Sequence, residues 1–310
     1  MPKLFFSGTQ HEILDTDPRI PRDETWYRLG SCHEAFIKPA LSRAEMTVTS
    51  TGGNCELLFD SGAFTAWSKG REVDFDHLCS IYDDVLEMFV SRVNAVWLIN
   101  LDKIPGQKGR DGTPQELVEA MEISNSNFEK MQKRFGHHVI PVFHQDEPVE
   151  QLERLLVSPY VCLSPRNDLP EHKRIAWSVS MHAVVNGRSR THGLAATGMR
   201  MMRFVPWSTV DSAAWIFCAS NGGIIMPDGS IIPISNQSPA MKTFGKHYRS
   251  VPAIHRKRLN EIIADAGFTI EQLENNAEQR MVFNRISFMR LAARPYDDIK
   301  VKNDAGLFDI

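Results

Sequence analysis

Residues 57–65 read LLFDSGAFT: a short apolar run, typical of a buried strand, stops at Asp60 and continues into a turn of small residues. Runs of the same kind, rich in β-branched and aromatic side chains, recur along the chain. The predicted strands are residues 3–7, 56–60, 95–101, 138–144, 160–164, 191–195 (a weak one) and 203–210. Each is apolar over most of its length, which indicates a strand covered on both faces.

Helical patterns alternate with these strands. Apolar residues recur every three or four positions over 75–89 and over 149–156, and Thr113-Pro114 is a cap residue followed by proline, which predicts the start of a long helix. Strands that alternate with helices favour a parallel sheet with helices on its outer side. We therefore predict an α/β fold, a (β/α)₈ barrel of the TIM type.

The pattern changes after residue 220. The stretch GGIIMPDGSIIPIS (222–235) has two isoleucine-rich arms around Pro-Asp-Gly, which predicts an inserted β-hairpin. From residue 253 the chain is helical, with Gly267 as a helix end, Thr269 as the next cap and a last helix over 278–293. We expect a single domain, in which residues 1–220 form the main part of the barrel and 221–310 form the hairpin and a C-terminal helical extension.

Composition narrows the class of protein. The chain has 310 residues, of which 42% are apolar, and a formal charge of −3. A polyanionic partner would therefore meet a local basic patch and not a uniformly positive surface. The five cysteines form no CxxC pair, and no apolar run is long enough for a signal peptide or a membrane span. We expect a soluble protein of a reducing cytoplasm, with no membrane partner.

Three acids close predicted strands: Asp60, Asp102 and Asp211. In a (β/α)₈ barrel the carboxyl ends of the strands meet at one rim, where active sites are built. Burying an ionised carboxylate costs several kcal/mol unless it is paired or faces a ligand. One aspartate at such a position equally suits a helix or turn cap, but three on one rim favour a site that uses carboxylates in different roles.

Five motifs in this order resemble the tRNA-guanine transglycosylase superfamily, whose fold is a (β/α)₈ barrel. FDSGAF (59–64) resembles its Asp-Ser-Gly-Gly-aromatic motif, and INLDKIP (99–105) resembles its base-recognising aspartate strand. VFHQDE (142–147), HGLA (192–195) and STVDS (208–212) are similar to its glutamine strand, its Gly-Gly-Leu-Ala turn and its nucleophile strand. The motifs span residues 59 to 212.

The resemblance implies a base exchange in which a carboxylate attacks the anomeric carbon of a guanosine unit, guanine leaves and a 7-deazaguanine takes its place. Asp211 would be the nucleophile that forms a covalent glycosyl-enzyme intermediate. Asp60 would be the general acid and base. Two displacements at one carbon retain configuration, as in retaining glycosidases. This chemistry needs no cofactor and no metal.

The resemblance also implies how the base is bound. Asp102 would accept hydrogen bonds from guanine N1 and its exocyclic amine, and Gln145 with the backbone of Gly193 and Leu194 would contact the O6 edge. Ser61 of the first motif would also belong to the substrate-binding residues, and Phe64, three residues later, would lie against the face of the base. An ordinary core position for Phe64 is the alternative.

The chain departs from the superfamily at two places. The C-terminal zinc site of clustered cysteines and a histidine, typical of the members that act on tRNA, is missing, because Cys218 is the last cysteine and has no neighbour. The glutamate that follows the family's turn is also replaced, since the chain reads GLAATG there, so the resemblance does not imply how the substituent at position 7 is recognised. CLSPRND (162–168), VDSAAW (210–215) and the PDG hairpin are similar to phage-encoded DpdA-type enzymes, which install 7-deazaguanines into DNA. The resemblance thus implies DNA and a free 7-deazaguanine base as partners, and a host cytoplasm for a phage-encoded enzyme.

Candidate phosphate contacts come from two basic runs, 187–193 and 248–258, with 200–203 as a third; a solvated surface is the alternative for each. Their cations are Arg188, Arg190, Arg249, Arg256, Lys257 and Arg258. His144 and His192 stand at predicted strand ends as supporting candidates. Three other functions stay open: a tRNA-guanine transglycosylase without zinc, a metal-dependent TIM-barrel hydrolase using His144, His192 and Asp211, and a catalytically silent nucleic-acid binding barrel.

Overall fold

The computed structural model describes residues 2–8, 16–21, 25–107, 109–196, 198–242 and 245–292. Nine parallel strand segments form the main sheet, in the order β5-β4-β3-β2-β1-β9-β8-β7-β6. They are β1 Lys3–Phe6, β2 Trp26–Ser31, β3 Cys55–Asp60, β4 Ala95–Ile99, β5 Val139–Ile140, β6 Val142–His144, β7 Tyr160–Ser164, β8 Arg190–Gly193 and β9 Thr209–Ser212.

The two ends of this order belong to one strand that Pro141 interrupts. On one side of Pro141, β5 pairs with β4 (Ile140 opposite Ile99), and on the other side β6 pairs with β7 (Val142 opposite Cys162). The carbonyl of Pro141 itself accepts the N–H of Cys162 at 2.8 Å. The sheet therefore closes on itself as eight strands in sequential order, which confirms the predicted TIM-type barrel.

Side chains fill the barrel from the inside. One buried cluster consists of inward-facing residues from seven of the nine segments: Phe5, Leu29, Leu58, Ile99, Ile140, Val142, Tyr160 and Cys162. The period of two along a strand is visible in β3, where Leu58 lies in this cluster, Glu56 lies two residues before it and Asp60 two residues after it. The same face of β3 thus carries an acid at each end of the barrel.

Helices cover the outside of the sheet and bury the other face of each strand. They are α1 Ile37–Thr51, α2 Ala63–Ser68, α3 Phe75–Phe89, α4 Pro114–Phe135, α5 Val149–Leu155, α6 Glu171–Val185, α7 Met199–Phe204, α8 Ala214–Ser220, α9 Ala253–Asp265, α10 Ile270–Asn275 and α11 Ala277–Ala292. Thr113 caps α4 through a capping box with Glu116, as the Thr-Pro signal predicts.

The predicted hairpin is present as β10 Gly223–Ile225 and β11 Ile231–Pro233, paired antiparallel. Asn284 of α11 is fully buried and joins this hairpin to the barrel. Its Oδ1 accepts the N–H of Ile225 at 2.6 Å, and its Nδ2 donates to the carbonyl of Trp215 in α8 at 3.0 Å. The extension therefore packs on the barrel. Residues 293–310 of the predicted extension, including the last residue of its final helix, lie outside the described residues.

The predicted strand over 203–210 is wrong over residues 203–208. Residues up to Phe204 belong to α7, and the strand begins at Thr209. Met201 and Met202 are buried on α7 and favour a helix, while Pro206 has no N–H for a strand ladder. Strand β2 and helix α1 are not among the predicted elements. In β2 the charged Arg28 is buried, which hides the apolar pattern of that strand.

Within the described ranges, no helix is both long and apolar enough to cross a membrane.

Candidate active site

Asp60 ends β3 at the carboxyl rim, and the small residues after it shape its surroundings. The N–H of Gly62 donates to Oδ2 of Asp60 at 3.1 Å. Gly62 adopts φ +81°, and a Cβ there would lie 2.9 Å from the backbone nitrogen of His33. A residue with a side chain fits neither this left-handed conformation nor this space. The Ser-Gly-Ala turn therefore brings a backbone donor to the carboxylate.

The pKa of Asp60 is raised to about 7, first by burial and then by the charges of Asp102 and Asp211, against the hydrogen bonds from the backbone of Gly62 and Ser61. A carboxyl group that is half-protonated near neutral pH can both donate and accept a proton. The structure thus gives Asp60 the titration that a general acid and base needs.

Asp211 lies inside β9, opposite Phe5 of β1 in the sheet. Its side chain is 16% exposed. The N–H of Ala195, in the turn after β8, donates to Oδ1 of Asp211 at 2.8 Å. Ala195 has φ +49°, which is uncommon for a residue other than glycine. This strained backbone directs a donor at the carboxylate, as is frequent at functional sites.

Asp102 lies three residues beyond the end of β4, and its side chain is 9% exposed. Nε2 of His144, at the end of β6, lies 2.9 Å from Oδ2 of Asp102. Although burial alone lowers the pKa of His144, the hydrogen bond to Asp102 and the charges of Asp102, Glu147 and Asp146 raise it above the usual value. His144 and Asp102 therefore form a partly buried hydrogen-bonded pair at the rim.

The three acids share one electrostatic environment. Asp102 and Asp211 both raise the pKa of Asp60. Cys162, fully buried on β7 inside the barrel, has its pKa raised by burial and then by Asp211, Asp102 and Asp60. The predicted convergence of these carboxyl groups on one end of the barrel is present in the structure.

Gln145 follows β6 directly, and its side chain has a defined orientation. The N–H of Arg166 donates to Oε1 of Gln145 at 3.0 Å, which leaves the amide nitrogen to face another acceptor. The guanidinium of Arg166 is itself paired with three acids, Asp111, Asp146 and Asp168. Its charge is therefore largely neutralised beside the glutamine.

Gly193 ends β8, and Leu194 begins the turn that follows it. A Cβ at Gly193 would lie 2.7 Å from that of Ala196 and 3.0 Å from the ring of Trp207, so this position requires glycine. The N–H of Leu194 donates to the carbonyl of Leu163 at 3.1 Å. The resemblance implies that the backbone of Gly193 and Leu194 contacts the O6 edge of the base. O6 is an acceptor, and the N–H of Leu194, the donor that it would need, is already occupied within the sheet.

Phe64 is not a core residue. It lies on the short helix α2, is 61% exposed, and its ring centroid lies 5.7 Å from that of Trp67. An exposed aromatic face four residues after Asp60 suits stacking on a base. Ser61, by contrast, is fully buried and its Oγ accepts the N–H of Ala63, so it holds the turn.

The basic candidates separate into two groups. Arg190 opens β8 at the amino end of the barrel, opposite the acids, where it lies 3.7 Å from Glu56 and over the ring of Tyr160. Arg188 forms two hydrogen bonds with Glu153. Neither arginine lies beside the candidate site.

The other four basic candidates belong to the extension. Arg249 pairs with Glu274, and Arg256 donates to the carbonyl of Arg249. Lys257 and Arg258 are exposed on α9. In the part of the chain that the structure describes, no carboxylate lies within ion-pair distance of these last two.

Among the described residues, no three side chains of the types His, Cys, Asp and Glu converge in a way that could hold a metal ion. His144 with Asp102 and His192 with Asp211 are pairs only.

The N–H of Ala195 is the donor that sequence analysis misses. The sequence indicates this donor only indirectly, because the small residue after Gly-Leu permits a tight turn but does not predict its positive φ.

No protein-family model matches the chain, and no curated protein is found to be similar to it. The resemblance to transglycosylases therefore stays a prediction. The geometry of the rim bears on the chemistry that these residues can carry out and not on the family to which the chain belongs.

Proposed function

We propose that this protein is a DNA-guanine transglycosylase, which exchanges guanine in DNA for a 7-deazaguanine base through a covalent intermediate on Asp211. One observation carries the proposal: two rim carboxyl groups have different surroundings. Burial and acidic neighbours raise the pKa of Asp60 to about 7, while Oδ1 of Asp211 accepts the N–H of Ala195. Acid-base catalysis and nucleophilic attack require this division of roles.

In the first displacement a carboxylate oxygen of Asp211 bonds to the anomeric carbon, the bond from that carbon to the guanine nitrogen breaks, and its electron pair leaves with the base. Protonated Asp60 supplies a proton to the departing guanine. In the second displacement Asp60 takes a proton from the incoming base, whose nitrogen bonds to the same carbon and releases Asp211. Two inversions give net retention.

The polar groups beside the acids suit a guanine edge. Asp102 is an acceptor whose Oδ2 is held by His144, which leaves Oδ1 for the N–H groups of the base. Gln145 presents an amide N–H₂ donor, because its oxygen is held by Arg166. Guanine offers donors at N1 and the exocyclic amine and an acceptor at O6, while adenine has no carbonyl at the corresponding position.

DNA is proposed as the substrate because its sugar lacks the electron-withdrawing 2′-hydroxyl, and the site then needs no partner for that group. A base inside a duplex must rotate out of the stack, which costs a few kcal/mol. Exposed Phe64 and the exposed cations Lys257 and Arg258 of α9 are the groups that would offset this cost. A tRNA substrate for the same chemistry is the alternative.

An exchange assay tests the proposal. Purified protein is incubated with labelled guanine and either DNA or tRNA, and we expect label to enter DNA. Asp211→Asn should lower the rate at least about a thousandfold and abolish a trapped protein–DNA adduct. Asp84→Asn, on the exposed face of α3, is the matched control and should keep the rate.

The outcomes separate the alternatives. Label in tRNA alone would favour the tRNA enzyme without a zinc site. Exchange that persists in Asp211→Asn would reject the nucleophile. Binding of nucleic acid without exchange of any base would favour the silent binding barrel.

A further inference from the structure

A buried chain of polar groups lies beneath Asp211, on the barrel axis. His192 of β8 is fully buried, and its Nδ1 lies 2.8 Å from Oγ1 of Thr209 on β9. The same Oγ1 is hydrogen-bonded to the hydroxyl of Tyr160 on β7. On the other side of the imidazole, Nε2 has no hydrogen-bond partner at normal distance and lies 3.5 Å from Oδ1 of Asp211.

The chemistry of the four groups determines where the protons are. An ionised carboxylate only accepts, so the nitrogen that faces Asp211 must carry the proton of a neutral imidazole. Nδ1 of His192 is then an acceptor for the hydroxyl of Thr209, and Oγ1 of Thr209 accepts the hydroxyl of Tyr160. The reverse tautomer would direct a lone pair of Nε2 at a carboxylate oxygen, leaving two acceptors face to face in a buried place.

We propose that Tyr160, Thr209 and His192 are positioning residues that hold Asp211 by Oδ1 and leave Oδ2 as the oxygen that attacks the sugar carbon. The inference rests on the function proposed above. Oδ1 already accepts the N–H of Ala195, so the Nε2–H of His192 gives it a second donor. A carboxylate fixed by one oxygen presents the other in a single direction, which favours attack from a defined geometry.

The hydrogen-bonded chain from Tyr160 through Thr209 to His192, called the relay below, faces a negative environment at Asp211. Asp60 on β3 belongs to the same rim, and the charge of Asp211 acts unfavourably on it. The ring of Phe5 on β1 packs 5.8 Å from that of His192 and adds no charge. Without the Nε2–H donor, Oδ1 of Asp211 keeps the N–H of Ala195, and the attacking oxygen is less fixed in direction.

The first test needs neither substrate nor variant. In ¹⁵N-histidine-labelled protein, long-range nitrogen–proton NMR spectra distinguish the two tautomers, and His192 is identified by its contacts with the rings of Phe5 and Tyr160. We expect the imidazole proton on Nε2. A proton on Nδ1 would overturn the relay, whether or not the protein exchanges bases.

The second test measures rate. His192→Phe should lower kcat for exchange about tenfold to a hundredfold at an unchanged KM for DNA, as for loss of one hydrogen bond to a charged group. The effect should fall on kcat and not on KM because His192 is fully buried and acts by fixing the direction of the attacking oxygen. His192→Gln, which restores an N–H donor, should recover part of the rate.

His247→Phe is the matched control, since His247 is equally buried but lies in the extension, hydrogen-bonded to the carbonyl of Ser235. It should change neither kcat nor KM. An unchanged kcat in a folded His192→Phe protein would contradict the relay. A wild-type protein without exchange would instead contradict the proposed function, and the tautomer would still decide the proton arrangement.

Discussion

The imidazole of His144 and the carboxylate of Asp102 lie 2.9 Å apart at the carboxyl ends of neighbouring strands. The pair has two consequences. It holds one oxygen of Asp102, which leaves the other for a base. It also raises the pKa of the His144 imidazole, so that the ring keeps its proton to a higher pH than usual. A change at His144 should therefore affect both base binding and the pH dependence of stability.

We expect His144→Gln to raise the KM for the free base and to destabilise the fold by about 1–3 kcal/mol, because Asp102 keeps a weaker partner. The raised pKa means that the stabilisation from His144 is fully present below about pH 6.5 and is lost as the pH rises through the folded-state value. Chemical denaturation of both proteins between pH 5 and 9 measures this. A difference that grows with pH would contradict it.

Asp60→Asn should abolish exchange and yet stabilise the protein at high pH. The folded-state pKa of Asp60 is about 7, against an ordinary value of 3.8, so the native state resists its ionisation. The stability that protonated Asp60 contributes is therefore lost as the pH rises toward 7. From pH 5 to pH 8, we expect the wild type to lose about 2–3 kcal/mol of unfolding free energy relative to Asp60→Asn.

The measurement is the free energy of unfolding of both proteins at pH 5 and pH 8. Asp84→Asn, whose side chain is exposed, should show no such divergence from the wild type. Parallel pH dependences of wild type and Asp60→Asn would indicate an ordinary pKa for Asp60.

Gly62→Ala should cost more stability than Gly70→Ala. Both glycines have positive φ, +81° and +66°, but a Cβ at Gly62 would lie 2.9 Å from the nitrogen of His33, and a Cβ at Gly70 meets nothing within 4 Å. We expect about 1–2 kcal/mol for Gly70→Ala, from backbone strain alone, and about 3 kcal/mol or more for Gly62→Ala. Only Gly62→Ala should also reduce exchange, since its N–H positions Asp60. Equal losses of stability would show that the loop of His33 moves aside.

The barrel was predictable from the strands with a continuous apolar run, such as 57–59 and 160–163. Strand β2 was not, because the buried Arg28 stands within it and a charged residue in a sequence normally indicates an exposed position. The boundary at Thr209 was misplaced because Val205 and Trp207 extend the apolar pattern, although they lie in the connection between α7 and β9. Closure of the sheet depends on Pro141 dividing one strand between two neighbours, a property of pairing that no local pattern contains.

For the site, the order of motifs placed three acids on one rim, because strand ends meet there in any such barrel. Their partners were not predictable. The donor to Asp211 depends on a positive φ at Ala195, and the pairing of Asp102 with His144 depends on residues 42 apart in sequence. Sequence also placed Arg190 among the phosphate contacts, whereas its position at the start of β8 puts it at the other end of the barrel.

Phe64→Ala should weaken nucleic-acid binding or base binding about tenfold to a hundredfold, the loss of one base–aromatic stack. Phe217→Ala is the control, because Phe217 is 66% exposed on α8, close to the 61% of Phe64. Neither change should lower the melting temperature much, since both rings already face solvent. Affinity from fluorescence titration and KM from exchange provide the measurement. Equal effects of the two changes would remove Phe64 from the site.

Lys257→Ala should weaken DNA binding and lower the slope of log affinity against log salt concentration by about one, the value for one lost phosphate contact. Lys257 is exposed on α9, and no carboxylate of the described residues neutralises it, so its charge is available to a phosphate. Arg188→Ala is the matched control. Arg188 already forms two hydrogen bonds with Glu153, so its removal should leave the salt slope unchanged. If Arg188→Ala lowers the slope and Lys257→Ala does not, DNA follows the amino end of the barrel, and the acids of the carboxyl rim could not reach a base in it.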